Sequence, residues 1–411
     1  MKEIKVLHVS YSSNVGGASV AMFRIHRSLI KLGIESKIVT LINDDANFRE
    51  GVVLKRGLSK FFHKIYIKFE SLIVRNLQHS VFKTTRSLNL FSTGLVSLIN
   101  NSDCEIVNLH WIGANTVGIK ELSKITKPIV WTLHDLWAIL GSEHNNISKD
   151  FRYVQGYLSS NRGNGYKGLD IEKYVWKLKR KYWKHLNLHL VPVSVWQEKV
   201  VKNSLLFQSY PVKCIHNPID SKLWYPVNKD QSRTKLGISQ SKKILLYGAY
   251  NFIYDPIKGF QRLVKSLDLI VNKSDFIIAY FGSDEDASFG DFETINFGKI
   301  SSIEKLRYIY SSADVFLMPS LQETFGQTVL EGIYCNLPVV AYSGTGVNDI
   351  LIHKVNGFLA EEDNINDFYT GIQWVLDHSL LNIRESVGNK FSSEVIGEKY
   401  LKLYKEILCN P

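Results

Sequence analysis

At 411 residues, 45% apolar and 22% charged, the chain exceeds one ordinary core and suits two globular domains of about two hundred residues each. No apolar run reaches the roughly 18–20 residues that span a bilayer, and the opening MKEIKVLHVSY lacks a signal-peptide layout. Four scattered cysteines (Cys104, Cys214, Cys335, Cys409) show no C-x-x-C spacing, so neither a zinc site nor a disulfide framework is expected and a reducing cytosol fits best. The net charge of +11 favours anionic partners; with no nucleic-acid motif beside it, nucleotide phosphates and an acidic membrane face remain.

In chain order, Ile4 to Ser10 reads as a strand, Tyr11 to Ser19 as a glycine-bearing loop, Val20 to Leu32 as a helix and Ser36 to Leu41 as the next strand. This βαβ start argues a parallel, doubly wound sheet. Gly16 and Gly17 allow a close backbone approach to a ligand, or simply form a turn. Residues 54–86 interleave Arg56, Lys60, Lys64, Lys68 and Arg75 with Phe61, Phe62, Ile65, Tyr66, Phe69 and Ile73 at helical spacing. Such a basic amphipathic helix lies on an anionic bilayer or packs on its own domain with a solvated basic edge. Further strands are expected at Glu105 to Trp111 and at Pro128 to Leu133, with His134 and Asp135 directly after the second. Carboxyl ends of parallel strands face the ligand crevice, which raises His134 above a merely structural histidine. Asp150 to Leu169 is polar and glycine-rich and reads as a mobile loop, and Val175 to His185 as a strongly basic helix.

Asn217-Pro218 breaks the pattern, dividing a first domain (1–216) from a second (217–393). The second repeats the alternation, with strands at Lys243 to Tyr247 and Phe276 to Gly282 and a turn at Lys258-Gly259. Its centre is SSADVFLMPSLQETFGQTVLEGIYCNLPVVA: a buried strand ended by Pro319, a loop carrying Glu323, and a helix opening near Phe325-Gly326 with Glu331 on it. A helix start at the mouth of a sheet binds phosphate. Carboxylates beside a phosphate repel it, so Glu323 and Glu331 suit hydroxyls on either side of it, the layout of a sugar nucleotide. The plainer reading makes both glutamates solvated helix-end charges.

The run Glu323-Thr-Phe-Gly-Gln-Thr-Val-Leu-Glu331, between ADVFLMPS and CNLPVVA, resembles the E-x7-E signature of the family 4 retaining glycosyltransferases, the GT-B "group 1" transferases. VWTLHDLWAILGS resembles that family's central His-Asp segment, and Lys258-Gly259 its Lys-Gly turn. The resemblance implies two Rossmann-like domains facing across a cleft, acceptor on the first and nucleotide-sugar donor on the second, with the 394–408 helix returning to the first. It implies Glu323 on the donor sugar, Glu331 on the ribose, Phe325, Gly326 and Lys258 at the diphosphate, Gly16 and Gly17 facing donor and acceptor, and His134 at the reacting bond. Asp135 and His144 follow as weaker sugar or acceptor contacts.

The chain departs from the pattern in two places. GSEHNNISKD replaces a Gly-Gly-Cys-His-like loop, with His144 standing in for its histidine, and Ala249 stands where an arginine is common. In the resemblance Lys258 and the Phe325-Gly326 helix end take the diphosphate charge that a metal would otherwise carry, so no metal or other cofactor is expected. A lipid-linked glycan of a bacterial surface polysaccharide is the implied acceptor. The lost arginine keeps open a non-catalytic nucleotide-sugar-binding subunit, and the fold also serves epimerases and phosphorylases.

Overall fold

The structure, a computed structural model, describes residues 4–13, 16–42, 52–54, 59–80 and 84–409. Residues 14 and 15 of the first loop, and residues 55–58 (Arg56 among them) and 81–83 of the basic stretch, lie outside this set, as do the side chains of Lys60, Phe61 and Phe62. Contacts divide the chain into one unit of residues 1–218 and 394–411 and another of residues 219–393.

The first unit carries strands β1 (Lys5–Ser12), β2 (Glu35–Ile42), β3 (Val52–Leu54), β4 (Gln78–Ser80), β5 (Ile106–Leu109), β6 (Ile129–Leu133), β7 (Tyr166–Gly168) and β8 (Leu188–Pro192). Six of them pair in parallel in the order β3-β2-β1-β5-β6-β8, while β4 and β7 form an antiparallel ribbon. The second unit holds β9 (Lys243–Gly248), β10 (Phe276–Phe281), β11 (Glu293–Asn296), β12 (Val315–Met318), β13 (Val339–Tyr342) and β14 (Gly357–Ala360), all parallel in the order β11-β10-β9-β12-β13-β14. Counted within each sheet, both orders are 3-2-1-4-5-6, the doubly wound Rossmann arrangement. The order reverses between β1 and β5 in the first unit and between β9 and β12 in the second, and crevices for ligands open at such switch points.

Near-continuous apolar strands such as IVWTL and VFLM follow from burial on both faces of the sheet. In the first unit one face packs Leu7, Leu109, Trp131 and Leu190 under the Ile171–Tyr182 helix. The other receives Ile396, Tyr400, Leu403 and Tyr404 of the Ser393–Cys409 helix. That helix is keyed into the sheet by two polar contacts, Asn108 Nδ2 to Tyr404 O–H at 2.8 Å and Thr132 Oγ1 to Tyr400 O–H at 3.0 Å.

One expectation needs correcting, and two gain detail. The 150–169 stretch is no bare loop: it contains the Arg152–Gln155 turn of helix and β7, which pairs with β4, and its Arg152 is buried against Asp170. The basic run around 175–185 belongs to the Ile171–Tyr182 helix and hides Lys179 completely. Of the two readings of the Ser59–Leu77 helix, the structure shows packing on its own domain with an exposed basic edge. Tyr66 stacks on Phe91 at 4.5 Å and Glu70 accepts from the Leu88 and Leu90 amides, while Ile65, Phe69 and Leu72 stay exposed beside Lys64, Lys68 and Arg75.

Candidate functional site

In the second unit the residues singled out from sequence gather at the β9/β12 switch point. β9 leads into the turn Pro256–Lys258, capped by Asp255, whose side chain accepts from the Ile257 amide. Tyr247 O–H holds the turn from beneath by donating to the Lys258 carbonyl at 3.0 Å. Gly259 follows at φ +71°, where a Cβ would meet the Pro319 carbonyl oxygen at 1.9 Å, so only glycine fits between this turn and the end of β12. The result places Lys258 Nζ 2.8 Å from Glu323 Oε1.

Beyond Glu323 the chain turns through Gly326 (φ +95°) into the Gln327–Tyr334 helix. Phe325 is buried edge-on against Phe391, with ring centres 5.6 Å apart. The positive end of this helix therefore follows three residues after Glu323, on the same side as the Lys258–Glu323 pair, where an anion is favoured. Glu331 lies on the same helix, buried, its Oε2 accepting from Tyr310 O–H at 3.2 Å. Sequence reasoning passed over Gly346. Its amide donates to the Glu323 carbonyl at 2.8 Å, and a Cβ there would strike the Thr324 carbonyl oxygen at 2.1 Å. The glycines of Ser343-Gly-Thr-Gly346 mark a turn, but nothing in their spacing points to the Glu323 loop.

In the first unit Gly16 (φ +81°) and Gly17 open the Gly16–Lys31 helix after β1, and a Cβ on either would meet no described atom within 4 Å. His134 and Asp135 leave the end of β6 and line a small crevice with Trp111, Gly113, Trp131 and His144. Asp135 is tied into the scaffold. Its Oδ2 accepts from Trp111 Nε1 at 2.6 Å and pairs with His144 Nδ1 at 2.5 Å, while its Oδ1 accepts from the Trp137 amide at 2.9 Å. Burial raises its proton affinity, but the charge and hydrogen bond of His144 and the other donors outweigh that and hold it below the usual carboxylate range. The second nitrogen of His144 meets Ser87 Oγ at 2.8 Å, so both ring nitrogens are engaged. His134 differs: its Nε2 meets His110 Nδ1 at 2.9 Å, and its Nδ1 has no partner among the described residues.

Two doubly wound units, each with polar side chains collected at the carboxyl ends of its central strands, define a protein of the GT-B class. Residues 15–223 match the model described as Glycosyltransferase Family 4, and residues 241–378 match glycosyl transferases group 1; the chain belongs to glycosyltransferase family 4. It is 29% identical over 226 residues to an uncharacterized glycosyltransferase of Haemophilus influenzae, covering 52% of this chain and 58% of that one. It is 24% identical over 191 residues to the Campylobacter jejuni N,N'-diacetylbacillosaminyl-diphospho-undecaprenol alpha-1,3-N-acetylgalactosaminyltransferase, covering 42% of this chain and 50% of the other. The chain thus spans about half the length of the curated relatives it matches. Among solved structures, HepE of Anabaena in complex with UDP and glucose superposes with a TM-score of 0.65 at 14% identity, over 98% of this chain and 100% of that one, a likeness of fold.

Proposed function

We propose that this chain is a retaining glycosyltransferase that moves a sugar from a UDP- or GDP-linked donor to a lipid-linked glycan in the assembly of a bacterial surface polysaccharide such as O-antigen or capsule. The observation that carries the reading is the Lys258–Glu323 pair at the β9/β12 switch point, next to the start of the Gln327–Tyr334 helix. In this reading Lys258 and the Phe325-Gly326 amides stabilise the departing diphosphate, so no metal is required. Glu323 fixes the donor sugar's hydroxyls and Glu331 the ribose. Gly16 and Gly17 give the backbone room beside donor and acceptor, and His134 touches the reacting sugar. Retention follows if the acceptor hydroxyl enters on the face the diphosphate leaves. The Campylobacter relative, whose name specifies a diphospho-undecaprenol acceptor, supports a lipid-linked acceptor, and the UDP-bound likeness supports a nucleotide donor.

Among the described residues no helix is long and apolar enough to cross a membrane. Contact with a lipid-linked acceptor at the cytoplasmic face of the inner membrane would run through the exposed Ile65, Phe69 and Leu72 and the neighbouring cations of the Ser59–Leu77 helix. Incubation of the full chain with radiolabelled UDP- and GDP-sugars tests the function. Slow release of free sugar from one donor is expected; an isomerised donor would make it an epimerase, and binding without turnover a non-catalytic subunit.

A further inference from the structure

Three histidines of the first unit form a hydrogen-bonded row across neighbouring strands: His8 on β1, His110 just past β5 and His134 just past β6. Nδ1 of His8 lies 2.8 Å from Nε2 of His110, and Nδ1 of His110 lies 2.9 Å from Nε2 of His134. Successive ring centres are 5.1 and 5.2 Å apart. His8 and His110 are buried, at 0% and 1% exposure. Burial, reinforced by the neighbouring histidines, holds the proton affinity of both well below the ordinary value; burial also brings His134 down to about 4, against the pull of Asp135. All three rings are neutral near pH 7.

A neutral imidazole has one N–H and one bare nitrogen. A row of three therefore has two self-consistent arrangements: every proton on Nδ1, or every proton on Nε2. The buried end decides between them. Nε2 of His8 is fully buried and has no hydrogen-bond partner among the described residues; the neighbouring His26 ring, centred 6.0 Å away, uses its Nδ1 on Ser36. A buried N–H without an acceptor is rarer and costlier than a buried lone pair without a donor. The proton of His8 accordingly sits on Nδ1, which forces His110 and then His134 to carry theirs on Nδ1 as well.

We propose that His8 and His110 are positioning residues that lock the tautomer of His134, so that His134 offers an N–H at Nδ1 to its ligand and acts as a hydrogen-bond donor rather than a base. The ligand part of this inference rests on the proposed function; the tautomer part does not. The test is a long-range proton–nitrogen correlation spectrum of the full chain labelled with 15N-histidine at neutral pH, with His134 assigned by its loss in His134→Gln. The expected wild-type spectrum shows a pyrrole-like Nδ1 and a pyridine-like Nε2 for His134, and His110→Phe converts that ring into a mixture of tautomers. A wild-type His134 protonated on Nε2, or already mixed, overturns the proposal. The wild-type spectrum decides by itself, so a variant that fails to fold leaves the test intact. The spectrum needs no sugar donor, so a locked Nδ1 tautomer together with unchanged transfer in His134→Gln would leave the tautomer standing and remove only the contact of His134 with the sugar.

Discussion

Nζ of Lys258 sits 2.8 Å from Oε1 of Glu323, and the two side chains reach each other from opposite sides of a switch point, one after β9 and one after β12. Burial lowers the proton affinity of Lys258, but the charge and hydrogen bond of Glu323, with Asp255 behind it, outweigh burial and raise it, so the ammonium persists. In the proposed roles the cation takes the diphosphate and the carboxylate takes the sugar, so each holds the other in place before the donor arrives. Hydrogen bonds to charged groups contribute roughly 1.5–3 kcal/mol, so Lys258→Ala is expected to weaken UDP or GDP about 10- to 100-fold by calorimetry. Glu323→Ala should abolish transfer while circular dichroism and nucleotide affinity stay near wild type. Unchanged transfer would remove Glu323 from the site.

Glu331 is the second acid of the pattern, but the structure gives it a neighbour that the spacing did not announce. Tyr310 O–H donates to its Oε2 at 3.2 Å, orienting the carboxylate at the top of the buried helix packing. If Glu331 binds the ribose, Glu331→Ala weakens the nucleoside diphosphate by about tenfold or more. Wild type should then bind the 2′,3′-dideoxy nucleotide about as weakly as the variant binds the ordinary one. Tyr310→Phe, which loses only the orienting bond, should cost a few-fold. Equal wild-type affinity for both nucleotides separates Glu331 from the ribose.

The parts of the molecule legible in the sequence were those set by local signals. Apolar strands alternating with periodic helices announced both doubly wound sheets, and Pro319, Gly326 and the apolar run after them marked the loop and helix start. What stayed hidden depends on contacts between distant positions. His8 lies inside an apolar strand and says nothing of its bond to His110, 102 positions away. Asp170, which fixes Arg152, is 18 residues on, and β7 finds its partner in β4, so a polar stretch read as mobile is in fact packed. His144 looked available to a ligand because neither Ser87 nor the side-chain direction of Asp135 can be inferred from spacing.

A buried acidic cluster makes the stability of the first unit depend on pH. Arg86 meets Glu143 at 2.9 Å and Glu172 at 3.2 Å, and one guanidinium cannot neutralise both carboxylates. Burial first, then the charge of Glu172, push Glu143 up from 4.5 to about 8, with Arg86 opposing. A carboxyl that binds its proton more tightly when folded stabilises the fold below its unfolded pKa, and that stabilisation disappears as pH rises toward about 8. Glutamine mimics the protonated acid. Urea midpoints of Glu143→Gln relative to wild type should therefore move in the variant's favour as pH climbs from about 5 to about 9, by an amount on the order of a few kcal/mol. The row of histidines titrates alike in both proteins and cancels in the difference. A gap independent of pH would mean that Glu143 is already ionised in the fold.

Lys179 supports the crevice from behind. Its Nζ donates to the carbonyls of Trp137, of Leu140 at 3.0 Å and of Gly141 at 2.6 Å, and lies 3.9 Å from the centre of the Trp137 ring. Burial pulls its proton affinity well below the ordinary lysine value, against the pull of Glu172 and Asp135. These carbonyls belong to the turn that follows His134 and Asp135, so the lysine closes a segment that has no helix of its own to satisfy it. Gly141 tightens the same corner, since a Cβ there would meet the Glu172 backbone at 2.6 Å. Methionine matches the length of the stem but offers no donor, leaving three buried acceptors unpaired at about 1–3 kcal/mol for each poorly solvated group. Lys179→Met should accordingly lower the urea midpoint by the equivalent of about 3 kcal/mol or more at an unchanged denaturant slope. Because the affected turn carries the Trp137 amide that holds Asp135, the 15N signals of His134 should shift in this variant as well. A variant with wild-type stability would show that the turn stands without the lysine.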